Sequence, residues 1–376
     1  MKLLLDNSNL FAGGGLQVAF SFLHDLKKLA LPNDYHVVQS IKCAENFDAS
    51  GFPKNFTFYT LSKNEEHSKR LRISKVRSLE NAIRPDCIFT LFGPSYHKSN
   101  FPKIVGFAIP FIIYPNSPFF NQISLKEKIY YKLLTILKTY CFKKYSDTLV
   151  FETEDARKIF NQKYNYSKDS FVVGNALNEI FTSLETLPEL KIQGLSSLNI
   201  LLLAANYPHK NIHIVPKVIQ VLKEKHQICD FKFLLTLEKK ELNFPAYCDE
   251  NIIFLGKVAL NQIPSLYIQT DFVFIPTLLE VFSATYLEAM FMEKPIIASD
   301  LGFSRDVCGQ AALFCDATNA EAYANSIVRL QNDEKLKNKL IANGVLNLER
   351  FGNSMDRTHG YLNIIKKIIL TNENTK

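Results

Sequence analysis

Residues 271–292 read Asp271-Phe272-Val273-Phe274-Ile275-Pro276-Thr277-Leu278-Leu279-Glu280-Val281-Phe282-Ser283-Ala284-Thr285-Tyr286-Leu287-Glu288-Ala289-Met290-Phe291-Met292. The apolar run Asp271 to Ile275 predicts a buried strand, and Ala284 to Met292 is compatible with a helix. Glu280 then falls on the loop after the strand, and Glu288 about one turn into the helix. A crevice at the C-terminal edge of a parallel sheet is where open α/β sheets bind ligands. Two carboxylates there can accept hydrogen bonds from several hydroxyls, such as those of sugars and riboses. Carboxylates at this spacing are also common as solvated surface groups. Glu280, however, stands in an otherwise apolar run, where an unpaired charge is costly.

The same strand-then-helix rhythm extends outward to both ends. Strands are expected at Lys2–Leu5, His36–Val38, Phe56–Thr60, Cys87–Leu91, Ile104–Ala108, Thr148–Phe151 and Phe171–Val173. Helical spacing occurs over Leu16–Leu29, Glu66–Ile83 and Leu125–Tyr145. A second series has strands at Leu198–Ala204, Phe231–Leu237, Ile252–Leu255, Phe272–Ile275, Pro295–Ala298 and Leu313–Cys315. Its helices are Ile212–Lys225, Ile263–Ile268, Ala284–Met292, Ala320–Leu330 and Lys335–Glu349, and a last helix spans Met355–Leu370. Two successive β-α series imply two doubly wound, mostly parallel sheets in an α/β protein. The expected domains are residues 1–181, joined by the last helix, and residues 198–354. Thr182–Ser197, polar and carrying Pro188 and Gly194, is the expected linker.

Bulk properties narrow the class. A chain of 376 residues, 47% hydrophobic and 22% charged, has room for two cores. Seven cysteines without a C-x-x-C pair argue against a disulfide framework or zinc cluster, and for a reducing cytoplasm. The apolar start Met1–Leu5 ends too early for a signal peptide, and no run reaches the length of a membrane span. Residues 1–180 carry 24 Lys+Arg against 16 Asp+Glu and the remainder 20 against 21, so the first half is near +8 and the second near −1. That favours anionic partners, but without a recognition motif nucleic acid is not expected among them.

Three further stretches bear on function. Gly13-Gly14-Gly15 lies between the first strand and first helix, either as a phosphate-approaching turn or as a merely flexible one. It fits neither G-x-G-x-x-G nor a P-loop. Lys210, in Tyr207-Pro208-His209-Lys210-Asn211 at the start of a helix, could neutralise a diphosphate or be a solvated lysine. His209 and His213 lack the further ligands a metal needs. The segment from Lys126 to Lys144, basic and interleaved with Tyr and Leu, either rests on an anionic membrane surface or covers a sheet as an ordinary amphipathic helix.

Together these residues resemble the retaining glycosyltransferases of family 4, with the GT-B fold. The strongest match runs from Phe272 to Val307: strand, Pro276-Thr277, Glu280 and Glu288, Ala289-Met290, then Pro295-Ile296-Ile297-Ala298-Ser299, continuing into Ala311-Ala312-Leu313-Phe314. Weaker likenesses are Gly14-Gly15, Val172-Val173-Gly174-Asn175, Lys210 and Gly256-Lys257-Val258. The resemblance implies two Rossmann-like domains with an interdomain cleft and a C-terminal helix crossing back to the first domain. It implies that Glu280 holds hydroxyls of a donor sugar near the backbone of Phe282, Ser283 and Ala284. Glu288 would bind the ribose, and Gly256 and Val258 would lie near the base. Lys210, Gly14 and Gly15 would stabilise the diphosphate, with no metal and no cofactor beyond a UDP- or GDP-linked sugar as co-substrate. The acceptor would be a glycan or lipid-linked molecule in surface polysaccharide or glycoconjugate assembly, used in the cytoplasm or at the inner face of the membrane.

Three departures from the family pattern stand out. Ala205 stands where an arginine is usual, leaving Asn206 beside it as a donor-binding candidate and Arg305 or another group to supply the charge. Val281 and Ser283 replace glycines, and Phe107-Ala108 stands where many members carry a histidine. Two other readings stay open. One is a nucleotide-sugar-binding protein with weak or no turnover. The other is a dinucleotide-dependent oxidoreductase, which would need an acidic residue after His36–Val38, where Gln39 and Ser40 stand.

Overall fold

The computed structural model describes residues 1–11, 13–182 and 188–373. The chain divides into two compact units. The first comprises Met1–Ile113, Lys126–Asn175 and Ser354–Lys376; the second comprises Tyr114–Leu125 and Ala176–Asn353.

The first unit holds β1 (Lys2–Asn7), β2 (Asp34–Gln39), β3 (Phe56–Thr60), β4 (Cys87–Thr90), β5 (Lys103–Phe107), β6 (Thr148–Phe151) and β7 (Ser170–Val172). They form one parallel sheet in the order β3-β2-β1-β4-β5-β6-β7. Leu4 of β1 pairs in register with His36 on one side and Ile88 on the other. Leu3, Leu4 and Leu5 are all buried. That explains why β1 is a continuous apolar run: helices cover both faces of a parallel sheet. β5 runs close to the preceding segment, and a Cβ at Gly106 would sit 1.8 Å from the Leu91 carbonyl oxygen, so only glycine fits. The last helix, Ser354–Glu373, belongs to this unit. Its Tyr361 packs edge-on against Phe22, and Thr358 donates to buried Asp25 at 2.8 Å.

The second unit holds β8 (Asn199–Leu202), β9 (Lys232–Leu235), β10 (Ile252–Phe254), β11 (Phe272–Ile275), β12 (Ile296–Ser299) and β13 (Ala312–Cys315). Their order, β10-β9-β8-β11-β12-β13, is again fully parallel. The sheet is laid down from β8 in one direction and then, with β11, in the other. The gap between the ends of β8 and β11 is therefore the topological switch point, where such sheets open a crevice.

All thirteen expected strands are present, with ends that differ from expectation by at most two residues. Helices at Glu154–Tyr164 and Gly302–Cys308 go beyond the expected set. The stretch Glu66–Ile83 is two helices, Lys63–His67 and Lys69–Ile83, because Ser68 takes an extended conformation and caps the second. The expected linker 182–197 includes residues outside the described set. Where described, it is tied to the second unit: the Leu190 and Ile192 amides donate to Ser265 and Gln269 at 3.0 and 3.1 Å. Tyr114–Leu125, from the first half of the sequence, also belongs to the second unit.

Candidate functional site

Two loops meet at the switch point of the second sheet. The loop after β8 carries Lys210 and the loop after β11 carries Glu280. They are joined by a backbone hydrogen bond from Leu278 N–H to the His209 carbonyl, 2.7 Å. The first loop is a 3₁₀ turn, Pro208–Lys210, and not the start of the α-helix expected at Ile212. Asn211 adopts a left-handed conformation (φ 55°), which interrupts the chain, and the α-helix begins only at Val215. Asn211 is itself buried and donates to the Ala317 carbonyl at 2.9 Å.

This architecture brings Lys210 Nζ to 2.8 Å from Glu280 Oε1. The two side chains are 17% and 19% exposed, a partly desolvated pair. The other carboxylate oxygen, Glu280 Oε2, is buried and has no hydrogen-bond partner among the described residues. An ionised carboxylate only accepts, so Oε2 is a vacant acceptor site for a hydroxyl. Beside it, the helix Ala284–Phe291 starts at Ser283 without a side-chain cap. Its first amides therefore add positive potential. Phe282 and Ser283 are buried, with Phe282 packed edge-on against Phe351.

Glu288 lies one turn further on, buried on the inner side of the same helix. Its Oε2 accepts a 2.7 Å hydrogen bond from the Tyr267 hydroxyl, itself fully buried. Burial pushes the Glu288 carboxyl up to about 7, and the Tyr267 hydrogen bond only partly opposes it. Sequence reading found Glu288 but not Tyr267. Its only signal was a tyrosine in the largely apolar stretch Ile263–Ile268, 21 residues away.

A cavity of about 640 Å³ opens beyond the C-terminal ends of β8, β9 and β10. Lys210, Thr236, Glu238, Glu241, Lys257 and Val258 are among its lining residues. Gly256 takes φ 66°, a left-handed turn that glycine permits, and leads into Lys257 and Val258. Asn206 is exposed at the end of the β8 loop, its amide donating to the Glu241 carbonyl at 2.8 Å. Arg305 is not free to replace the missing arginine. Asp300 holds it in a two-pronged pair and it lies over the Phe314 ring. Lys257 lines the cavity instead. His209 is stacked on Tyr207, and burial, reinforced by the charge of Lys210, lowers its imidazole to about 4. It is neutral at pH 7. Among the described residues no group of His, Cys, Asp and Glu is placed to hold a metal ion.

The segment Tyr114–Leu125 supports these loops, which the sequence did not suggest. Ser117 Oγ donates to the Leu278 carbonyl at 2.5 Å, and Gln122 donates to Asn211 Oδ1 at 3.3 Å. Tyr114 packs edge-on against Phe303.

Gly14 and Gly15 lie in the first unit, at the start of helix Gly14–Leu29. Gly13 before them adopts φ 71°, and a Cβ at Gly13 or Gly14 would meet nothing within 4 Å. Gln39 and Ser40 at the end of β2 are occupied by Thr60 and the Leu10 carbonyl. With no acid there, the ribose contact of a dinucleotide-dependent oxidoreductase is missing. A larger cavity of about 760 Å³ in this unit is lined by Arg84, Asp86, Pro102 and Asp147, next to the N-terminal ends of β4, β5 and β6. That is the edge opposite the one at which such sheets bind ligands.

Comparison with known proteins agrees with this geometry. Residues 198–333 match the family model described as Glycosyl transferases group 1. An O-antigen chain mannosyltransferase of Salmonella typhimurium is 24% identical over 135 residues, 35% of this chain and 38% of that relative. The match thus spans well under half of the mannosyltransferase. A sucrose-phosphate synthase from Thermosynechococcus elongatus superposes with a TM-score of 0.71 at 13% identity, covering 99% of this chain and 100% of that one. Anabaena HepE in complex with UDP-glucose gives 0.67 at 13% identity, covering 98% and 100%. The two parallel sheets with their helices are the GT-B fold. No helix among the described residues is long and apolar enough to cross a membrane.

Proposed function

We propose that the chain is a retaining, metal-independent glycosyltransferase of the family 4 type. It would transfer a sugar from a UDP- or GDP-linked donor to a glycan or lipid-linked acceptor in surface polysaccharide or glycoconjugate assembly, in the cytoplasm or at the inner face of the membrane. The observation that carries this reading is the Lys210–Glu280 pair at the switch point, with Glu280 Oε2 buried and vacant. A donor hydroxyl satisfies Oε2, and Lys210 Nζ faces the diphosphate. The complexes of Anabaena HepE with UDP and UDP-glucose support a nucleotide-sugar partner on this fold.

In the proposed reaction the bond between the anomeric carbon and the leaving phosphate oxygen breaks. The acceptor oxygen attacks from the same face, and its proton passes to the departing phosphate. Negative charge builds on the diphosphate, and preorganised positive groups there are often the largest catalytic term. Lys210, Lys257 and the helix start at Ala284 are assigned that task. Glu288, held by Tyr267, receives the ribose, and Gly256 and Val258 flank the base with Asn206 at the rim. Ala205 in place of the arginine favours one second reading, a nucleotide-sugar-binding protein with weak turnover.

A thermal-shift series with UDP, GDP and their sugars, followed by transfer assays against glycan and lipid-linked acceptors, tests both. Binding raises the apparent stability of the folded state. Stabilisation with turnover supports the transferase. Stabilisation without turnover supports the binding protein. No shift with any nucleotide sugar, and no change in Glu280→Gln, overturns both.

A further inference from the structure

Helix Leu125–Tyr145 is apolar on two faces, and only one is covered. Its inner face carries Thr139, Cys141 and Phe142, and Phe142 packs on Phe107 and Phe160 at 4.8 and 6.2 Å. This is the sheet-covering helix that the sequence allowed. On the other face Ile129, Tyr130, Leu133, Ile136, Leu137 and Tyr140 are 46–63% exposed. At about 100° per residue these six side chains fall within an arc of about 120°. Contiguous exposed apolar surface of this kind marks an interaction site.

The charges around the arc identify what it fits. Lys126, Lys128, Lys132, Lys143 and Lys144 are exposed on the same helix, and its one carboxylate is Glu127. Lys132 and Lys143 lie at one edge of the arc, and Lys126 and Lys144 lie within it. A second copy of the chain would bring like charges together across such a face. An anionic lipid surface is complementary to it. Apolar side chains and tyrosine rings sink into the headgroup boundary, while lysine stems reach back to the phosphates. We infer that the outer face of helix Leu125–Tyr145 docks the protein flat on an anionic bilayer, without crossing it. This rests on the helix alone and is read by vesicle binding, so it stands or falls apart from the transferase reading.

The test is flotation of the full chain with phosphatidylcholine vesicles, with and without about 30% phosphatidylglycerol. The wild type floats with the anionic vesicles and releases as salt is raised. Leu133→Asp with Ile136→Asp weakens binding about tenfold or more, because the buried apolar area is lost. Lys128→Glu with Lys132→Glu removes the preference for anionic over neutral vesicles. Both variants keep the wild-type melting midpoint, since all four side chains are exposed. A wild type that stays unbound, or variants that float as it does, would overturn the inference. So would a wild-type dimer that Leu133→Asp with Ile136→Asp dissolves, which would assign the face to a second copy.

Discussion

Glu80 in the first unit and Glu288 in the second are buried almost equally, at 3% and 8% exposed, yet their chemistry diverges. Burial alone would raise both carboxyls. At Glu80 the hydrogen bond with His97 (2.8 Å) and the charge of Lys103 (3.1 Å) outweigh it, and the carboxyl stays below its usual range. At Glu288 the partner is the neutral Tyr267 hydroxyl, burial dominates, and the carboxyl rises to about 7. Glu280 lies between these cases: a lysine holds one oxygen, and the other is buried and vacant. Glu80 is met inside the core by two basic side chains, whereas Glu280 leaves acceptor capacity open at the edge of its sheet. A saturated network serves stability, whereas an unsaturated one can take a ligand.

The sharpest way to break that contrast is Lys103→Ala. It strands Glu80 in the core, and unfolding free energy from urea titration is expected to fall by about 3–5 kcal/mol. Adding Glu80→Gln should restore a large part of it. The open pair should behave in reverse. Lys210→Ala or Glu280→Gln is expected to lower kcat about 10²–10³-fold, with little change in the melting midpoint. A loss of stability like that of Lys103→Ala would mean that the pair is structural.

Glu288 should leave a signature in the pH dependence of stability. Its folded value, about 7, lies above the unfolded 4.5, so the folded state holds the proton between those values. The contribution is complete below pH 4.5 and is lost as pH rises through 7, by at most about 3 kcal/mol. Glu288→Gln keeps an acceptor for Tyr267 and should flatten that slope, measured by chemical denaturation at pH 5 and pH 8. An unchanged slope would place the proton elsewhere. The smallest effect is expected at Ser117, whose hydrogen bond braces the Glu280 loop from outside. Ser117→Ala should cost about 1 kcal/mol. It should also lower kcat/KM a few-fold without altering the pH profile.

How far the primary structure reached follows from the range of each interaction. Strands such as Leu3–Leu5 and Phe272–Ile275 announce themselves because a parallel strand covered on both faces must be apolar along its length. Glu280 and Glu288 were found because a charge within such a run demands an explanation. Lys210 was found only as a residue, since nothing local tells a solvated lysine from one 2.8 Å from a carboxylate 70 residues away. The partners Tyr267 and Ser117, the occupation of Arg305 by Asp300, and the exposure of the outer face of helix Leu125–Tyr145 were equally out of reach. Periodicity shows that a helix has two apolar faces, but not which of them the fold will cover.

The order of amino acids thus settled the alternation of strands and helices, the two α/β units and the acids at the strand edge, because those follow from local patterning and the cost of burying charge. Folding in three dimensions decided which charges are paired, which carboxylate oxygen is vacant and which apolar stripe meets solvent. Hydrogen bonds and desolvation act over a few ångströms of space, whatever the distance along the chain.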